Sequence, residues 1–297
     1  MQFKPEILKG VYSAIFTPYD KTGKVNVAMI EKIVEFHLKS GLKGFYVAGS
    51  TGESFMLTEE ERKLVVESVI KFNKGRGKII VHAGHISTDT AVRLARHAEK
   101  CGADVVSAVG PVYFGSTFDH AYRHYSQIAN STGLPFLIYS LQIAGGDIVP
   151  EDCVKFFDIK NIIGIKYTGK DFFAMQQLSR MIDRPHIFFS GADELFLAAL
   201  PFGIGGSIGT SQNFAPEHFV EIYNLFNKGK IKEAMRVQKE INKVIALMIT
   251  GGERSYQKAI MRYIGYDCGN FRMPFKQLKE EEYIAFAEKI ERSNVFK

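Results

Sequence analysis

The sequence predicts an α/β fold: a (β/α)8 TIM barrel over residues 1–228 with a C-terminal helical extension over residues 229–297. Three observations carry this expectation. Short apolar segments alternate with helical ones eight times, at intervals of about 25–30 residues, the rhythm of a closed parallel barrel. Polar residues stand at the end of most strand segments, where such barrels carry their chemistry. After Gly229 the strands stop and three helical patterns follow. An open, doubly wound sheet alternates in the same way but usually has fewer units.

The first strand reads as the apolar run 11–16, closed by Thr17 and Pro18. Asn26 can cap a helix with Ile30, Ile33, Val34, His37 and Leu38 on one face. The second strand covers 45–48 and runs into Gly49, Ser50, Thr51, Gly52 and Glu53. Thr58 and Glu61 then form a capping box ahead of Leu64, Val65, Val69 and Phe72 at helical spacing. Strands follow at 78–81 and 104–109, with a helix at 90–101 between them. A helix at 118–129 leads to a fifth strand at 135–139.

A shorter helix at 151–157 precedes the sixth strand, within 161–168, which is β-branched and contains Lys166 near its end. Asp171 starts the next helix, with Met175, Leu178 and Ile182. The seventh strand, 186–189, ends in Ser190, Gly191, Ala192, Asp193 and Glu194, which open a helix at 195–200. A glycine-rich eighth strand, 204–208, closes at Gly209 and Thr210. The extension reads as helices at 231–248, 255–264 and 280–290.

The 297 residues are 46% hydrophobic and 24% charged, an ordinary globular balance. The net charge of +6 is spread along the chain without a basic run, so nucleic acid is not an expected partner. Three cysteines, Cys101, Cys153 and Cys268, have no CxxC spacing; this suits a reducing cytoplasm. The N-terminus lacks the apolar core of a signal peptide, and no apolar run approaches the roughly 18 residues of a membrane span.

Lys166 is the residue on which a functional reading turns. An amine at the end of a buried strand loses hydration, so its pKa falls and it can attack a carbonyl to form a Schiff base. The alternative is a lysine snorkelling to water or paired with an acid. Ser50, Thr51, Tyr113, Tyr139, Asp193, Glu194 and Thr210 all lie at other strand ends. Their convergence on one mouth favours the nucleophile. Tyr139 can pass a proton to and from a leaving alkoxide, or be a core residue beside Phe136 and Ile138. Ser50 and Thr51 can hold a carboxylate or simply shape a tight turn. Asp193 and Glu194 can accept hydroxyls, or simply make the acidic start of a helix.

Three patterns are set aside. Residues 164–171 nearly match a phosphate-binding loop but end in Asp171, without its hydroxyl. Residues 203–209 have the wrong spacing for a dinucleotide loop. His82 with His85, and His120 with His124, have ligand-like spacings but no carboxylate in an HExxH arrangement, so no metal is expected.

With these residues in order, the whole chain resembles the N-acetylneuraminate lyase/dihydrodipicolinate synthase family of Schiff-base aldolases. The motifs that carry the resemblance are Gly49-Ser50-Thr51-Gly52-Glu53, the strand ending at Tyr139, Gly164-Ile165-Lys166 and Ser190-Gly191-Ala192-Asp193-Glu194. The resemblance implies Lys166 as the Schiff-base lysine, Tyr139 as proton shuttle and Tyr113 as its assistant. It implies Ser50 and Thr51 on the pyruvyl carboxylate, and no cofactor beyond the Schiff base with pyruvate. It also implies a homotetramer acting on a small molecule.

Gly-Ser-Thr-Gly-Glu and the run Lys166-Tyr167-Thr168 resemble the sialic acid lyase branch, which cleaves N-acetylneuraminate to N-acetylmannosamine and pyruvate. No arginine occurs between Tyr139 and Pro150, where the synthases place one. Thr168, Gly191, Asp193, Glu194 and Thr210 would then complete the sugar site. The run from Ser140 to Gly146 departs from the lyase pattern. That leaves another 2-keto-3-deoxy acid, as in a dihydrodipicolinate synthase-like aldolase or dehydratase, as the alternative substrate.

Overall fold

A computed structural model describes residues 3–113, 117–140, 148–252 and 254–296. Eight parallel strands close into a barrel in sequence order, the eighth pairing with the first. They are β1 (Gly10–Ala14), β2 (Gly44–Val47), β3 (Lys78–His82), β4 (Val105–Val109), β5 (Phe136–Ser140), β6 (Ile162–Tyr167), β7 (Ile187–Ser190) and β8 (Gly206–Gly209). The helices between them are α1 (Val27–Lys39), α2 (Glu59–Asn73), α3 (Thr88–Cys101), α4 (Phe118–Ala129), α5 (Pro150–Cys153), α6 (Phe172–Met181) and α7 (Phe196–Ala199). After β8 come α8 (Pro216–Asn227), α9 (Ile231–Thr250), α10 (Ser255–Tyr263) and α11 (Glu280–Ser293).

Local chemistry accounts for these boundaries. The Asn26 side chain accepts from Met29 N at the start of α1, and Thr58 with Glu61 makes both bonds of a capping box at α2. The helix expected at 195–200 is instead broken. A 3-10 turn (Asp193–Leu195), α7 and a second 3-10 turn (Leu200–Phe202) succeed one another, and Pro201, without an N–H, stands in the last. Likewise α5 passes directly into a 3-10 turn, Val154–Asp158.

Two apolar layers result. Tyr12, Tyr46, Ile80, Leu137, Tyr139, Phe189 and Ile208 fill the barrel lumen, while a larger layer packs the helices onto the outside. Along β5 the period of two is clean: Phe136 and Ile138 face out, Leu137 and Tyr139 face in. Along β6 it is interrupted. Phe136 pairs with Ile162 but Leu137 pairs with Gly164, so β6 carries one extra residue. That bulge changes the phase: Ile162 faces the helices, yet Lys166, an even number of residues on, faces the lumen.

Residues 164–167 lie inside β6 and α6 starts only at Phe172, so no phosphate loop is formed there. The glycines of β8 serve contact between strands. A Cβ on Gly206 would stand 1.7 Å from the carbonyl oxygen of Gly10 in β1.

Asn213 seals the seam between first and last strands. Its amide donates to Ala14 O (2.7 Å) and Thr210 O (2.9 Å), and its Oδ1 accepts from Phe16 N (3.1 Å). His37 of α1 donates from Nε2 to Asn213 O at 2.9 Å; burial holds its pKa down to about 4, so the ring is neutral.

Candidate active site

Lys166 lies between Tyr139 and Phe189 in the parallel register. It is 4% exposed. Its Nζ stands 4.1 Å from the centre of the Tyr139 ring and 4.4 Å from that of Tyr46. The amine makes no hydrogen bond or ion pair among the described residues. Burial drives its pKa down to about 7, against a smaller upward pull from the Asp193 carboxylate. Near neutral pH the free amine is therefore well populated, as it is not for a solvated lysine.

The Tyr139 hydroxyl is 3.4 Å from Ser50 Oγ, which joins the end of β5 to the loop after β2. Burial raises the phenol's pKa and the Ser50 contact partly offsets this, so the hydroxyl keeps its proton until a base draws on it. Thr51 Oγ1 meets Thr210 Oγ1 at 2.7 Å, spanning the ends of β2 and β8. The loop that carries Ser50 and Thr51 is tightly folded. Glu53 N donates to Ser50 O, Ser54 N donates to Gly49 O, and Ala48 and Glu53 both have left-handed φ. Such backbone is held only where surrounding contacts insist on it.

Glu53 supplies those contacts. Its Oε1 accepts from Lys258 Nζ of α10 at 2.8 Å and its Oε2 from Arg272 N at 2.8 Å. Both side chains of this ion pair are 1% exposed. Lys258 also donates to Thr17 O (2.8 Å), at the end of the first strand segment.

Gly191 is required where it stands. A Cβ there would meet Thr168 Cγ2 at 2.5 Å and Lys166 Cε at 3.3 Å. Thr168 is half-buried just past β6. Asp193 is buried, and its carboxylate is largely committed to architecture: Oδ2 accepts from Ser211 N (2.7 Å) and Oδ1 from Gln212 Nε2 (3.2 Å). Glu194 is half-buried, and its carboxylate has no bonded partner among the described residues; α9 holds its backbone carbonyl through Asn242. Tyr113 follows β4 and is 75% exposed, unlike buried Tyr139. Residues 141–146, where the sequence leaves the lyase pattern, lie outside the described residues.

A profile of the dihydrodipicolinate synthetase family matches residues 7–293. The chain belongs to that family. An N-acetylneuraminate lyase of Rhizobium meliloti (strain 1021) is 32% identical over 283 residues, covering 95% of this chain and 94% of the relative. Among solved structures, a catalytic lysine mutant of Ruminococcus gnavus sialic acid aldolase superposes with a TM-score of 0.91 at 28% identity, covering 99% of both chains. A dihydrodipicolinate synthase from Bacillus anthracis reaches 0.89 at 26% identity, covering 95% of this chain and 97% of that one.

This member of the dihydrodipicolinate synthetase family brings together residues that the strand-end pattern did not single out. Tyr46 lies under Lys166 and holds Ser107 Oγ at 3.0 Å. His82 packs edge-on against Tyr139, with Nδ1 donating to Ala48 O (3.1 Å) and Nε2 accepting from Val109 N (3.2 Å). Both ring nitrogens are thus spent, and burial keeps the ring neutral. Inward alternation along strands two and three was the available signal for both residues; strand ends alone concealed it. His85 accepts from Ser87 N (3.0 Å), and His124 pairs with Thr88 Oγ1 (2.9 Å). Among the described residues, no cluster of three metal-ligating groups includes His82, His85, His120 or His124.

Proposed function

We propose that the protein is a Schiff-base aldolase that reversibly cleaves N-acetylneuraminate to N-acetylmannosamine and pyruvate. The observation that carries this reading is the Lys166 amine, buried with no hydrogen bond or ion pair among the described residues and with its pKa lowered by burial to about 7, against the Tyr139 ring. Kinship to N-acetylneuraminate lyases over nearly the whole chain supports the choice of substrate.

In this reading the Lys166 amine adds to the ketone of the open-chain substrate and water leaves, giving an iminium. Tyr139 gives its proton to the oxygen that leaves as water and then, as tyrosinate, takes the proton of the hydroxyl two carbons from the iminium carbon. The carbon–carbon bond breaks, its electrons pass into the iminium as an enamine, and N-acetylmannosamine departs. Protonation of the enamine and hydrolysis return pyruvate and the free amine. Ser50 and Thr51, on their constrained turn, hold the carboxylate. Tyr113 assists the proton relay from the rim. Thr168, Gly191, Asp193, Glu194 and Thr210 border the sugar, with Glu194 the freer of the two acids. No cofactor or metal takes part in this chemistry.

We place the enzyme in the cytoplasm as a homotetramer; its three cysteines are unpaired, and no helix among the described residues is long and apolar enough to cross a membrane. Sedimentation equilibrium measures the assembly. The test of the chemistry is pyruvate release from N-acetylneuraminate, with borohydride trapping. Wild type should turn over in the presence of a chelator and gain a pyruvyl mass on Lys166, and Lys166→Ala should do neither. An adduct on another lysine, or loss of activity to the chelator, overturns the reading. Trapping at Lys166 without turnover of N-acetylneuraminate, but with turnover of another aldehyde and pyruvate, supports the synthase-like alternative.

A further inference from the structure

On the outer wall of the barrel, away from the mouth, α2 and α3 pack side by side and bring three unlike ligand groups together. His97 and Cys101 are four residues apart on α3 and so share a face. Glu67 reaches them from α2. Its Oε1 is 2.8 Å from His97 Nε2, and Cys101 Sγ is 3.4 Å from the same nitrogen. All three ligand atoms lie within 4.8 Å of one another, the only such grouping among the described residues. The His97 side chain is 16% exposed and that of Glu67 is 55% exposed, so the position is open to solvent on one side.

We infer that Glu67, His97 and Cys101 form a carboxylate–imidazole–thiolate site for a borderline-soft divalent cation such as Zn2+, with water completing the tetrahedron. Ligands about 2.0–2.3 Å from a tetrahedral zinc stand roughly 3.3–3.6 Å apart; the 3.4 Å between Cys101 Sγ and His97 Nε2 matches this, and the 2.8 Å hydrogen bond between Glu67 and His97 opens as a cation takes its place. The mixture of S, N and O donors selects zinc or its neighbours over magnesium or calcium.

A reactive cysteine–histidine pair is the competing use of these residues, and the geometry argues against it. A relay needs the acid on one ring nitrogen and the thiol on the other. Here Glu67 and Cys101 both address Nε2 most closely. The Cys101 thiol gives up its proton as a cation binds.

The consequence is structural. A bound cation ties α3 to α2, and α2 carries Arg62, whose guanidinium donates to Gly84 O (3.0 Å) and His82 O (2.6 Å) behind the active site. The cation thus braces the wall beneath His82 without entering the chemistry.

Metal-free, reduced, full-length protein is titrated with Co2+, and Zn2+ affinity is measured by competition. One equivalent of Co2+ should bind with a thiolate-to-cobalt charge-transfer band. Zn2+ should raise the thermal midpoint, and pyruvate release should be unchanged. Cys101→Ser and His97→Asn should abolish the band or weaken Zn2+ at least about tenfold. A missing band, or a band that survives Cys101→Ser, overturns the proposal. Glu67→Gln, a change at a largely exposed side chain, serves if the α3 variants fail to fold, and undiminished Zn2+ affinity in it is equally fatal.

Discussion

The Lys166 amine, shut away from water against two aromatic rings and with no hydrogen bond or ion pair among the described residues, has its pKa lowered to about 7 by burial. The folded state bears a cost for this. Below about pH 7 Lys166 is charged in both folded and unfolded chains, and the folded chain carries the full desolvation penalty. Between about 7 and 10.5 the unfolded chain binds a proton that the folded chain does not, so stability rises with pH across that window. Lys166→Met should therefore abolish turnover yet raise the unfolding free energy by about 1–4 kcal/mol near pH 6, with the gain shrinking toward pH 10. Urea denaturation at several pH values checks this; a less stable variant near pH 6 would show that Lys166 has a partner in the fold. The same titration should give adduct formation an ascending limb centred near pH 7.

At the scale of elements, the loop after β2 is clasped from outside the barrel. Its Glu53 is buried against Lys258 of α10, and Arg272, further along, binds Glu61 through both terminal nitrogens and donates to Met56 O. The C-terminal helices thus set the turn that carries Ser50 and Thr51. Lys258→Met strands the Glu53 carboxylate in the interior, which should cost about 3–5 kcal/mol. It should also raise KM for N-acetylneuraminate more than it lowers kcat, because the chemistry at Lys166 is untouched. Lys258→Met combined with Glu53→Gln should recover part of the stability. Chemical denaturation and steady-state kinetics on Lys258→Met, Glu53→Gln and the double variant decide it; additive losses in the double variant would rule out the pairing.

At the scale of the whole molecule, closure depends on a seam that joins residues about 200 positions apart, and Asn213 bonds both of its sides. Closing so long a loop brings a large entropic cost, so the contacts that complete it must be good ones. Asn213→Ala leaves Phe16 N and Ala14 O without their partner and should destabilise the protein by about 2–5 kcal/mol. Hydrogen exchange should show the loss first in β1 and β8; uniform loss across the barrel would mean that the seam is not a separate weak point.

Much of this was legible in the sequence. Eight alternations, the Thr58–Glu61 box, the Asn26 cap and the strand-end residues depend on neighbours a few positions apart, and local pattern reports local physics. The lysine at the end of an apolar strand and the motifs around it pointed to the family. What only the tertiary structure decided depends on residues far apart in sequence. The bulge in β6 turns Lys166 into the lumen, and no periodicity within 162–167 reveals it, because the extra residue is defined only against β5. The commitment of Asp193 to Ser211 and Gln212, and the grip of Lys258 on Glu53, likewise join strand ends and helices that meet only once the barrel has closed. Sequence determines which residues are available at the mouth; the closed barrel decides which of them are still free to act, because burial and hydrogen bonding are properties of the assembled surroundings.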